Sequence, residues 1–162
     1  MKVSGEAKSA TAKLAELESK LDEYDEKIGL TIQPRISQYL NIDQEQMKKM
    51  SVEELEEAAF DLANYGIYLQ KEMNKHVSRV SWANSNINAI IARECNNVKG
   101  YSFEERKLSI IHNNEHALKL EEIRIREQAC LDRMNFMNRR IDVLAERFSK
   151  LQESKQRRNK YG

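Results

Sequence analysis

An all-α fold, built on a long antiparallel helical hairpin of coiled-coil character with an extra amino-terminal helix, follows from three features of this 162-residue sequence. From Ser51 to Cys95, apolar and small residues fall on one unbroken three-four spacing. From Cys130 to Leu151 the spacing returns. The composition is 40% hydrophobic, 33% charged and 7% aromatic with one proline. It suits helices that bury a stripe and leave the rest wet, whereas a sheet protein would carry more aromatics, β-branched residues and turn glycines.

Residues 10 to 28 predict a first helix, with Leu14, Leu17, Leu21, Tyr24 and Ile28 on one face and Gly29 as its stop. Its outer face is acidic (Glu16, Glu18, Asp22, Glu23, Asp25, Glu26), which reads as a solvated surface or a dock for a basic partner. From Leu30 to Met50 the pattern breaks. Pro34 disfavours helix at Gln33, Asp43 to Lys49 have room for one or two turns, and Ile36, Tyr39, Leu40 and Ile42 predict that this connector packs. Residues 1–50 thus form an acidic helix and connector, and residues 51–162 the hairpin with a basic tail.

The long helix is the organising element. Leu55, Leu62, Gly66, Leu69, Met73, His76, Val80, Ala83, Ile87 and Ile90 form its seam, and a seven-residue repeat held over several turns winds helices around one another. Ser51 and Glu54 are spaced as a capping box, and Asn96, Asn97 and Gly100 mark the end as residues tolerant of a left-handed turn. At 1.5 Å per residue the rod is roughly 65 Å long, so it must share its seam with a partner. Ser102 and Glu105 offer a second capping box. The helix after it is expected to run to about Gln156, with a seam of Cys130, Met134, Met137, Ile141, Leu144, Phe148 and Leu151, extended back through Ile123, Leu120, Ile111 and Leu108.

A short connection between two long helices makes them antiparallel neighbours. Ile90 is then expected near Leu108 and Leu55 near Val143. Residues beyond about Ala145 overhang unless the first helix or another copy covers Phe148 and Leu151. Apolar residues on further faces (Phe60, Tyr65, Tyr68, Trp82, Leu118, Ile125, Phe136) predict a homo-oligomer.

Net charge is +1, but residues 1–62 hold 8 Lys/Arg against 14 Asp/Glu, so an acidic front meets a basic back. The basic half is a candidate polyanion surface. The start has no apolar core for a signal peptide and no run reaches the length of a membrane span, so a soluble, cytoplasmic protein is expected. Cys95 and Cys130 are expected far apart and free.

His112-Asn-Asn-Glu115-His116 spells H-x-x-E-H, a pair of zinc-binding histidines in a protease. Such a site needs a third ligand from another element and a concave pocket. All 46 residues that follow read as one rod, so the motif is taken as chance in a polar helix and no metal or cofactor is expected. There is no phosphate-binding glycine loop and no C-x-x-C pair. No enzyme is expected.

Two basic clusters remain. Lys71, Lys75 and Arg79 are four apart on one helix face, with Trp82 three residues on: spaced charges for phosphates beside an aromatic on which an unpaired base can stack. Near the end, Arg139, Arg140, Arg147, Lys150, Lys155, Arg157, Arg158 and Lys160 stand against Asp142, Glu146 and Glu153, a composition that grips nucleic acid and also solubilises chain ends.

A Tyr-containing long helix with internal Lys/Arg (Tyr65 to Arg93), a Gly100-Tyr101 turn and a heptad-bearing helix with a basic end make residues 55 to 158 resemble the UvsY-type recombination mediators of T-even-like bacteriophages. That resemblance implies a small all-helical protein that assembles into rings, binds single-stranded DNA and helps load a recombinase onto strands covered by a single-strand-binding protein. Lys71, Lys75, Arg79 and Arg93 would then be strand contacts and the last helix an assembly element. The alternative is a structural coiled-coil protein of a virion, scaffold or chaperone-like assembly.

Overall fold

The computed structural model describes residues 12, 15, 16, 19 and 32–162, and the chain divides into two units, residues 1–31 and 32–162. In the first unit Ala12, Ala15, Glu16 and Ser19 are helical and exposed. The seam expected there (Leu14, Leu17, Leu21, Tyr24, Ile28), the rest of its acidic face and the stop at Gly29 lie outside the described residues.

The second unit is five helices with no strand among the described residues: α1 Pro34–Leu40, α2 Gln44–Lys49, α3 Val52–Glu94, α4 Phe103–Asn113 and α5 Glu115–Tyr161. Helix α3 packs against α5 as the expected long hairpin. Its start is the predicted capping box: the Glu54 amide donates to Ser51 Oγ at 3.1 Å and the Ser51 amide to Glu54 Oε2 at 2.7 Å. Each such cap is worth about 1 kcal/mol. The seam is buried as spaced, with Leu55, Leu62, Leu69, Met73, His76, Ala83, Ile87 and Ile90 inside and Gly66 and Val80 half-buried. Ala58, Tyr65 and Ile91 join it. On α5, Cys130, Met134, Ile141, Leu144 and Phe148 are buried, with Met137 and Leu151 half-buried. Cys95 and Cys130 are not joined in a disulfide.

Four expectations are corrected. The helix after the turn is two helices, because Asn114 leaves the helical conformation (φ −106°, ψ 111°) and its side chain accepts the Ala117 amide as cap of α5; α5 then runs past Gln156 to Tyr161. The turn and this break shift the register. His76 pairs with Glu127, and counting outward puts Leu55 level with Phe148, not Val143. The turn end closes on Ile87, Ile90, Ile91, Ile110, Ile111, Ala117 and Leu120, while Leu108 is exposed. At the start of α4 the Glu105 amide donates to Ser102 Oγ, but the Glu105 carboxylate accepts from Tyr101, not from Ser102. Gly100 has no left-handed backbone; a Cβ there would meet Arg106 Cγ at 2.8 Å, so space is what requires glycine.

The connector is helical and closes the far end of the hairpin. Pro34 sits at the first position of α1, where its missing N–H costs nothing. Asp43 builds a capping box with Gln46 for α2. Ile36 is buried, and the Tyr39 ring meets Phe148 edge-on at 5.7 Å. Arg35 of α1 pairs with Glu57 at 2.5 Å and reaches Asp61 at 3.6 Å. Phe148 is therefore covered by the connector.

Candidate nucleic-acid interface

Helix α3 runs unbroken past residue 82, so Lys71, Lys75, Arg79 and Trp82 share one rigid stretch, and all four are exposed. Trp82 is 55% exposed, a large apolar ring left wet on a polar face. Their charges are not equally available. Lys75 Nζ holds both oxygens of Glu72, at 2.7 and 2.8 Å. Arg79 leans across the seam to Glu127 Oε2 at 3.4 Å. Lys71 makes no ion pair or hydrogen bond among the described residues. Arg93 lies exposed in the last turn of α3, where a cation meets the negative end of the helix dipole.

The tail divides the same way. Arg140 donates to the carbonyl of Leu40 at 2.5 Å, at the end of α1. Lys155 donates to the carbonyl of Lys48 at 2.7 Å and to that of Met50, at the end of α2. These two cations satisfy orphan carbonyls and oppose helix dipoles, so the structure places them as clamps on the connector. Lys150 pairs with Glu146 at 2.5 Å, which holds the Glu146 carboxyl below the ordinary glutamate range, chiefly through that hydrogen bond. Arg157 lies 4.0 Å from Glu153. Arg139, Arg147, Arg158 and Lys160 are exposed. Between α2 and α5 lies a groove of ≈ 640 Å³ whose apolar wall is Ile42, Met47, Leu144 and Leu151, edged by Arg147 and Lys150.

A buried polar centre was only half visible in the sequence. His76 and Glu127 are 4% and 1% exposed, and His76 Nδ1 lies 2.5 Å from Glu127 Oε2. Arg79 and Arg126, the latter at 3.8 Å, flank the same carboxylate. Three residues before Cys130, Glu127 falls on the seam spacing, and an acid at a seam position was the signal to look for its partner.

Comparison with family models, with curated proteins and with solved structures finds no match. His112 lies in the last turn of α4 and His116 in the first turn of α5, both exposed, with the cap residue Asn114 between them, so the H-x-x-E-H string does not lie on one helix. Among the described residues no group of three or more His, Cys, Asp and Glu could hold a metal. What the surface offers is cations along two helices and one exposed tryptophan.

Proposed function

We propose that this chain is a non-enzymatic, single-stranded-DNA-binding accessory of recombination that works as a homo-oligomer in the cytoplasm, the host's if the protein is viral. The observation that carries this is Trp82, exposed on α3 within one helical turn of Arg79 and two of Lys75. Lysines and arginine neutralise phosphates and release counterions, while an indole gives an unpaired base a stacking surface worth about 1–3 kcal/mol. Arg93, Arg139, Arg147, Arg157, Arg158 and Lys160 extend the basic surface. The layout shared with UvsY-type mediators supports the same function and points to a recombinase and a single-strand-binding protein as partners. None of the described helices is long and apolar enough to cross a membrane.

Titrating oligo(dT) into the protein at several salt concentrations tests this. Trp82 fluorescence should be quenched, and log affinity should fall linearly with log salt by about 0.7 per phosphate neutralised. No binding at low salt removes the proposal.

A second function is favoured by one observation: Arg79, Arg140 and Lys155 are engaged within the fold. It is a structural coiled-coil assembly component without DNA. Salt would then weaken assembly while oligo(dT) left the protein's size unchanged.

A further inference from the structure

Two lines of exposed apolar residues run along the hairpin, and neither serves its seam. On α3, Phe60 and Ile67 are 66% and 71% exposed; on α5, Phe136 and Val143 are 72% and 48% exposed. Each pair is seven residues apart, so each forms a stripe along its helix.

The hairpin register sets their heights. His76 lies opposite Glu127. Nine residues back along α3 is Ile67 and nine on along α5 is Phe136; seven more in each direction give Phe60 and Val143. The stripes are level, Ile67 with Phe136 and Phe60 with Val143.

They lie at the two outer edges of the hairpin. Phe60 and Ile67 stand five residues on from buried Leu55 and Leu62, and Phe136 and Val143 two on from buried Met134 and Ile141. At 3.6 residues per turn each stripe is turned well over about 100° from its own helix's buried face, so each faces away from the other helix.

We propose that a second copy of this chain docks here side by side and in register, the Phe60–Ile67 stripe of one copy on the Phe136–Val143 stripe of the next. The pairing sets large against small twice, Phe60 on Val143 and Ile67 on Phe136. Continuing the same lines, Glu53 falls level with Lys150, Glu56 with Arg147 and Lys71 with Asp132, so charges of opposite sign border the apolar stripe. Only Glu57 meets a like charge, Glu146, and each of these carboxylates already holds a cation of its own chain, Arg35 and Lys150. A two-fold contact through one stripe would cover that stripe and leave the other bare. The head-to-tail arrangement uses both and closes into a ring or runs on as a filament. Lys75 and Trp82, themselves seven apart, lie on a different line of α3 and stay open.

This deepens the assembly part of the proposed function and is independent of strand binding. The test measures mass by light scattering on the full chain without DNA, for the wild type, Ile67→Glu, Phe136→Glu and their equimolar mixture. Wild type should exceed the monomer mass and each variant should be monomeric. The mixture should give a dimer and nothing larger, because only one intact stripe remains on each partner. A monomeric wild type overturns the proposal, as does a single variant that still dimerises, the signature of a two-fold contact. A mixture that stays monomeric also overturns it. Both replaced residues are exposed, and helix content by circular dichroism verifies folding; Ile67→Ala and Phe136→Ala should weaken assembly in the same order, and unchanged assembly in both would contradict the interface. Failure here leaves the oligo(dT) titration of the wild type as it stands, so the two proposals fail separately.

Discussion

The two ends of the hairpin are closed in different ways. At the turn end, α4 folds back and the core is aliphatic: Ile87, Ile90, Ile91, Ile110, Ile111 and Leu120. At the open end Tyr39 of α1 lies against Phe148, and α1 and α2 are held by Arg35 on Glu57 and Asp61 and by Arg140 and Lys155 on helix-end carbonyls. One end is closed by aliphatic packing, the other by a smaller apolar patch of Ile36, Met47 and Phe148 to which cations are added. A cation count therefore says little about nucleic acid: at the open end cations hold the fold, while on α3 the exposed Lys75 stands on the same wet line as Trp82.

The polar pair midway between the ends gives the largest effect. Glu127→Ala leaves His76 and Arg79 beside a cavity and should cost about 3–5 kcal/mol, the usual loss when one partner of a buried pair is removed; denaturant melts check it. His76→Leu with Glu127→Leu should recover most of that. If Glu127→Ala melts like the wild type, the pair does not fix the register.

Next, Lys155→Met removes a charged donor to two carbonyls at the end of α2 and should cost about 1–2 kcal/mol. Hydrogen exchange should quicken in α1 and α2 but not around Ile90 and Ile110. Uniform quickening would erase the distinction between the ends.

Gly66→Ala should stabilise by about 1 kcal/mol, because alanine favours helix and the added Cβ would make ordinary contact with Ile141 at 3.7 Å. A lower melting temperature would contradict an ordinary contact between that Cβ and Ile141. The smallest effect belongs to Tyr65. Its buried hydroxyl has no hydrogen-bond partner among the described residues, and burial, then Tyr68, pushes its pKa up. Tyr65→Phe should leave stability unchanged or raise it by less than about 1 kcal/mol, and a clear loss would reveal a partner for that hydroxyl.

The hairpin was legible because a seven-residue stripe repeats over both helices and Ser51-x-x-Glu54 marks a start. The register was not, since it depends on Asn114, whose side chain caps α5 instead of continuing α4, and polar Asn113-Asn114 carries no periodic signal. Of the connector helices, α2 was expected as one or two turns over Asp43 to Lys49, but α1 was missed: a seven-residue helix shows too few turns for a stripe, and its stability comes from Phe148 and from Arg140, a hundred residues distant. The candidate interface was legible as residue types at helical spacing. Which charges are engaged was not, because Arg79 to Glu127 and Lys155 to Met50 are contacts across the fold.

The central claim is that strand binding sits on the open line of α3 and not on the clamps at the far end. It is tested most directly by the affinity of Lys75→Gln/Trp82→Ala for a labelled oligo(dT). Loss of one charge and one stacking surface should weaken binding by about tenfold or more with the melting temperature unchanged. Affinity equal to that of the wild type would contradict it.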